Sequence, residues 1–308
     1  MSKKILVIGS SNTDLIVTVD HFPCVGETIE GISFKHSMGG KGANQALAAH
    51  RTGGNVNFVT CLGNDANGNN LLQYYKNECL DISYSRIEDN VSTGVAMIWV
   101  DKKGENSIVI IPGANEYLSP DYIFENQEMF ETAEIIVLQM EIPYETVKTI
   151  CELGYLKDKI IILNVAPAYN LDKDILKSVK YLVVNEIEAE VLTGLKIEDI
   201  GEVNIINKLL NIGVESAILT LGSRGCLFKN AETTLKIPAF KVKSVDTTAA
   251  GDTFCGALAT GISKNRDIKE VLEFASAAAA LCVTRFGAQT SIPSENEVFE
   301  FLSNSVKY

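Results

Sequence analysis

The run Asp246-Thr-Thr-Ala-Ala-Gly-Asp252-Thr-Phe254 sets two alanines, a glycine and a carboxylate at the start of a helical pattern. Phe254, Ala257, Leu258 and Gly261 fall at i, i+3, i+4 and i+7, the spacing of one buried helix face. Gly251 lets the backbone turn tightly and approach a ligand closely. The first N–H groups of a helix lack intrahelical acceptors and attract an anion. Asp252 sits where that anion would lie. A carboxylate beside an anion site is electrostatically awkward, and a base that takes a proton from an attacking hydroxyl would explain it. The plainer alternative is an acidic residue favoured by the helix dipole.

A second group of residues suits a polyol. Gly39-Gly40-Lys41-Gly42 opens a helix that runs through Ala43–Arg51 and stops at Gly53-Gly54. The spacing of a Walker A loop is absent. Lys41 and Asn44, three apart, share a helix face and offer ammonium and amide donors with one amide acceptor. Asn12 and Asp14 follow the first strand and, two apart in extended chain, point the same way. Glu141 follows a strand ending at Leu138. Taken singly, Asn12-Thr13-Asp14 is an ordinary turn and Gly-Gly-Lys-Gly an ordinary helix start. A third group, Thr220-Leu221-Gly222-Ser223-Arg224-Gly225, is a turn-rich loop after a strand. Asn185 and Glu188 lie three apart near it in type, and Glu188 alone reads as a solvated helix charge.

The elements that must position these groups are short apolar runs alternating with helical patterns. Ile5–Ile8, Ile135–Leu138, Ile160–Leu163, Tyr181–Val184 and Ala217–Leu221 read as buried strands. The segments between them are mostly long enough for crossover helices, so a parallel sheet covered on both faces is expected. Ligands gather at the C-terminal ends of such strands, where Asn12, Asp14, Glu141, Asn164, Asn185 and Gly222 lie. Leu15–Phe34 and Thr93–Pro112 break the pattern and read as strands without helices. The second carries a hairpin turn near Asp101-Lys-Lys-Gly104.

The whole chain bounds the chemistry further. Its 308 residues show no linker, repeat or low-complexity segment, so one domain with an embellishment is expected. A net charge of −12 excludes the basic patch that nucleic acid requires, while a few local donors suffice for a nucleotide. Seven scattered cysteines form no C-x-x-C pair, which fits a reducing compartment. Cys255, one helical step past Asp252, reads as a small packed side chain, though oxidation there would inhibit. His21, His36 and His50 have no metal-ligand spacing. No stretch approaches the roughly 20 apolar residues of a membrane helix, and Ile5–Ile8 is too short for a signal-peptide core. A cytoplasmic protein without membrane contact is expected. Gly9-Ser-Ser-Asn12 lacks the G-x-G-x-x-G of a nicotinamide dehydrogenase.

Asp246–Phe254 and Gly39–Gln45 resemble the two signatures of the ribokinase-like carbohydrate kinases, and the resemblance extends from Ile5 to about Pro293. It implies an α/β, parallel-sheet, three-layer fold in one domain over residues 1–308, with lid strands from about 15–34 and 93–112. It implies that Asn12, Asp14, Gly40, Lys41, Asn44 and Glu141 bind the sugar, with Asp14 accepting from two ring hydroxyls. The nucleotide would meet Asn185, the loop Thr220 to Gly225, Gly251 and Ser276; at the last position relatives carry a polar or imidazole group near adenine. Asn185 and Glu188 would organise magnesium through water. Asp246, Thr248, Cys282, Arg285, Gly287 and Ser291 would enclose potassium, mostly through backbone carbonyls. Asn164-Val-Ala-Pro167 departs from the commoner family form, which has proline second, so a local loop difference is expected. The implied reaction is in-line transfer of the γ-phosphoryl group of ATP to the 5-hydroxyl of D-ribose. Asp252 would act as base, and the N–H groups of Ala249, Ala250, Gly251 and Asp252 would steady the phosphoryl oxygens. Paired lids imply a homodimer. Kinases of this fold acting on 2-deoxyribose, fructose or adenosine remain open, as does a non-catalytic sugar-binding regulator.

Overall fold

Side chains in the central strands alternate between two hydrophobic clusters, one on each face of a single sheet. Val7, Val137, Ile162, Val183 and Ile218 join one cluster. Leu6, Leu138, Leu163, Val184 and Leu219 join the other. Burial on both sides explains why these strands read as unbroken apolar runs. The computed structural model describes residues 2–305. In chain order its strands are β1 Lys4–Ile8, β2 Asn12–Thr18, β3 Ser33–Gly39, β4 Asn55–Val59, β5 Cys61–Gly63, β6 Arg86–Glu88 and β7 Gly94–Val100. There follow β8 Asn106–Ile111, β9 Ile135–Leu138, β10 Ile160–Asn164, β11 Tyr181–Val184, β12 Ser216–Thr220, β13 Cys226–Lys229 and β14 Thr234–Ile237.

Eight of these form one sheet in the order β14-β13-β12-β11-β10-β9-β1-β4. From β12 to β4 every pairing is parallel. The sheet is mixed rather than wholly parallel, because β13 and β14 fold back antiparallel as a hairpin edge. The parallel pairing brings the ends of β1, β9, β10, β11 and β12 to one edge, and the polar residues singled out above follow those ends.

A smaller sheet has the order β3-β2-β7-β8. Its strands start earlier and end later than expected in the first arm: β2 begins at Asn12 and β3 continues to Gly39, with residues 19–32 between them outside regular strand. The reason is functional geometry, since the same strands that build the small sheet deliver Asn12 and Asp14 to the site. The second arm matches its expected bounds closely and turns at Asp101–Glu105, with Gly104 at φ 82°. Pair register puts Asp14, Ala96 and Ile110 on one face of this sheet. Leu15, Val17, Phe34, Met97, Trp99 and Val109 lie on the other.

The helix Ala250–Ser263 is buried on all sides from Asp252 onward, not along one face. It lies between the helices Lys41–Arg51 and Ile268–Cys282. Gly256 permits this, because a Cβ there would lie 2.6 Å from the Ala49 nitrogen and the Gln45 carbonyl oxygen.

Candidate active site

The sugar-side residues converge around the start of the Lys41–Arg51 helix. Gly40 caps it at φ 90°, and a Cβ there would meet Asn12 N at 2.8 Å. No other residue fits so close a crossing of β2 by the helix start. Gly39 leaves the space that the Asp14 carboxylate fills, since its Cβ would lie 2.2 Å from Asp14 Oδ2. Asn12 Oδ1 accepts from Asn115 Nδ2 at 2.8 Å, so its amino group is what remains for a ligand. Glu141 Oε2 accepts from Ser10 Oγ at 2.6 Å and from Lys41 N at 2.9 Å, while Oε1 lies 3.9 Å from Lys41 Nζ.

These groups share one buried electrostatic environment. Burial, reinforced by Glu141 and Asp252 and opposed by Lys41, pushes the Asp14 carboxyl up to about 7. Burial opposes the Lys41 charge, yet Asp252, Glu141 and Glu188 outweigh it and hold the ammonium above its ordinary range. Asp252 is 7% exposed. Its Oδ2 accepts from Asn44 Nδ2 at 2.9 Å and its Oδ1 from Gln45 Nε2 at 3.0 Å. Thus Asn44 links Asp252 directly to the helix start that carries Lys41, and its Oδ1 is buried with no partner among the described residues.

The turn before Asp252 differs from its sequence reading in one respect. The residue in the left-handed region is Ala249, at φ 60°, not Gly251. Gly251 instead keeps space open, for a Cβ there would meet nothing within 4 Å. Ala250 N–H is turned toward Thr247 O at 3.3 Å. Gly251 and Asp252 follow it in the first helical turn, where N–H groups have no intrahelical acceptor. An anion would therefore meet the Gly251 and Asp252 amides more squarely than that of Ala250.

Thr220 ends β12, and Leu221–Gly225 close a tight turn through Leu221 N to Gly225 O at 2.8 Å. The Arg224 guanidinium is held by Glu186 and Glu202, so its charge is already matched. Ser276 is buried, with Oγ 3.9 Å from the thiol of Cys226, the residue after the loop. Asn185 and Glu188 form a reciprocal cap at the start of the helix Glu186–Thr193. Glu188 Oε2 accepts from Asn185 N and Oε1 from Asn185 Nδ2, each at 2.8 Å. Burial raises this carboxyl to about 7. It is a buried charge site rather than a solvated helix residue.

The segments expected to hold a monovalent cation do meet. Asp246 Oδ2 accepts from Gly287 N at 2.9 Å and Oδ1 from Thr248 N at 2.9 Å. Cys282 Sγ lies 3.6 Å from Thr248 O and 3.0 Å from Ser291 Oγ. The Arg285 side chain turns away to Glu297 at 2.6 Å, leaving only its backbone for that role. Cys255 is fully buried and burial pushes its thiol well above the ordinary range, so it is closed to the oxidation considered from sequence.

Sequence reasoning missed Gln45, Gln139, Asn115 and Ser10. Gln45 carried a signal, as a long polar side chain inside the alanine-rich run Ala43–Ala49. The other three carried none beyond their places after strand ends.

Comparison with known proteins identifies the family. The family model described as pfkB family carbohydrate kinase matches residues 2–295. Ribokinase from Bacillus subtilis is 39% identical over 98% of this chain and 100% of its own. Deoxyribokinase from Salmonella typhi is 36% identical over 97% of this chain and 98% of its own. The structure of Arabidopsis thaliana ribokinase complexed with ribose and ATP superposes with a TM-score of 0.91 at 32% identity, covering 99% of this chain and 100% of that one. With the fold, the motif order and the matches extending over nearly its whole length, the chain belongs to the pfkB family of carbohydrate kinases.

Proposed function

We propose that this kinase transfers the γ-phosphoryl group of ATP to the 5-hydroxyl of D-ribose, giving ribose 5-phosphate and ADP. The observation that carries the reading is the Asp252 carboxylate, held by Asn44 and Gln45 at a helix start and in contact with the sugar-side residues. Asp14 and the Asn44 Oδ1 accept sugar hydroxyl protons, while Lys41 and the Asn12 amino group donate. Asp252 takes the proton of the attacking hydroxyl. The Gly251 and Asp252 amides steady the phosphoryl oxygens. The ribokinase relatives and the ribose- and ATP-bound Arabidopsis structure support this choice of substrates.

Magnesium bound with the nucleotide would neutralise the phosphate charge. The oxygen donors of Asn185 and Glu188 suit a hard cation, and their mutual hydrogen bonds favour contact through water. Potassium would sit among the Asp246, Thr248, Cys282, Arg285, Gly287 and Ser291 backbones, a reading supported by the bond from Gly287 N to the Asp246 carboxylate and the approach of the Cys282 thiol to the Thr248 carbonyl. It would brace the turn at Ala249. A homodimer through the outer face of the small sheet is supported by exposed Phe34, Met97, Val109 and Ile111. Seven free cysteines, five of them buried, support a reducing cytoplasmic setting.

A second reading, 2-deoxyribose as the preferred acceptor, is favoured by the 36% identical deoxyribokinase. ADP release with Mg-ATP and a panel of D-ribose, 2-deoxyribose, fructose and adenosine, with and without K⁺, decides between them. Ribose turnover that rises with K⁺ is expected. Turnover confined to another acceptor would overturn the sugar assignment, and none with any acceptor would favour the regulator.

A further inference from the structure

Gln45 is fully buried in the second turn of its helix. Both of its N–H groups are used: Nε2 donates to Asp252 Oδ1 at 3.0 Å and to Asn164 Oδ1 at 3.1 Å. Its Oε1 accepts from Gln139 Nε2 at 2.8 Å. Asn164 is itself anchored, donating from Nδ2 to Val183 O at 3.1 Å. Gln139 fits because Gly9 has no side chain; a Cβ there would lie 2.0 Å from Gln139 Oε1. That oxygen is buried without a partner among the described residues, a cost that a simple core would avoid with leucine or methionine.

The chain of amides has a direction. Gln139 donates to the Gln45 oxygen, and a flipped Gln45 amide would turn that oxygen against the Asp252 carboxylate, which can only accept. Asn164 accepts one Gln45 hydrogen, which leaves the other aimed at Asp252. We infer that Gln45, oriented by Gln139 and Asn164, is a positioning residue that fixes the Asp252 carboxylate in one rotamer and one orientation toward the attacking hydroxyl. With Asn44 on the other oxygen, each carboxylate oxygen has one amide partner and keeps lone pairs for the substrate. The inference rests on the reading of Asp252 as base.

The test is a double-mutant cycle of Gln45→Met with Asp252→Asn, read as single-turnover and steady-state ribose phosphorylation, with ribose affinity by calorimetry and folding by thermal melts. Asp252→Asn alone should lower kcat by about 10²–10⁴-fold; unchanged kcat there would sink the base reading itself. Gln45→Met should lower kcat by roughly 10–100-fold with ribose affinity kept within about threefold, the signature of lost orientation. In the Asp252→Asn background the same substitution should change the rate by less than about twofold, because there is no base left to orient. An equal loss in both backgrounds, as a loosened core would give, overturns the inference, and so does an unchanged kcat for Gln45→Met. Should Gln45→Met not fold, Gln139→Met enters the same cycle, since it frees the Gln45 amide without touching Asp252. Its loss of roughly threefold or more must likewise vanish without the base, and a loss that persists overturns the inference.

Discussion

At the scale of single residues, the sugar contact proposed for Asp14 would couple binding to pH. Its ionised form would accept hydrogen bonds from two hydroxyls, whereas the neutral acid must donate one, and burial places the transition at about 7. Ribose affinity should therefore rise roughly tenfold between about pH 6 and pH 8, and Asp14→Asn should bind weakly with a flat profile. Calorimetry across that range checks both. The same shift acts on stability with the opposite sign to a salt-bridged carboxylate. The folded pKa lies above the ordinary 3.8, so the folded chain holds this proton more tightly, and stability falls as pH rises from about 4 to about 7. Thermal melts of unliganded protein should show that slope shrinking in Asp14→Asn. Asp14, Lys41, Asn44 and Asp252 were legible in sequence because each stands in a short local pattern. Gln139 and Asn115 were not, because their partners lie 94 and 103 positions away, and only the folded sheet edge brings them together.

At the scale of elements, the decisive contact is the crossing of the Lys41–Arg51 and Ala250–Ser263 helices. Gly256 sets their separation, and that separation sets the reach of Asn44 and Gln45 to Asp252. Gly256→Val should destabilise the fold by about 1–3 kcal/mol through overpacking. It should also lower kcat more than it weakens ribose binding, since it misplaces the base rather than the lysine side of the site. Denaturant unfolding and steady-state kinetics on one preparation test the pair of effects. The central strands were readable because burial on both faces demands continuous apolar sequence. β13 and β14 escaped notice for different reasons: the apolar run of β13 is short, Cys226 to Phe228, and β14 at the sheet edge exposes Thr234 and Lys236 to solvent. The Ala250–Ser263 helix looked amphipathic because its remaining positions are mostly small or weakly polar, among them Thr253, Cys255, Gly256, Ala259, Thr260 and Ser263, and these are buried as fully as the larger ones.

At the scale of the whole molecule, the function proposed above would give the small sheet one face for the sugar and one for a partner subunit. Asp14 and Val109 stand on opposite faces. Val109→Glu should thus yield monomers in sedimentation experiments while leaving the Asp14 side intact. A ribose KM that rises with dissociation would show that the partner steadies the sheet over the sugar; a Val109→Glu protein that remains dimeric would remove the face from consideration. The sheet also holds the chain's single tryptophan, Trp99, half-buried on that outer face beside Val17 and Ser107. Indole emission from this protein is consequently the signal of the small sheet alone. Mixing with ribose, and diluting to separate the proposed subunits, can each be followed in the native chain by light, without attaching a dye.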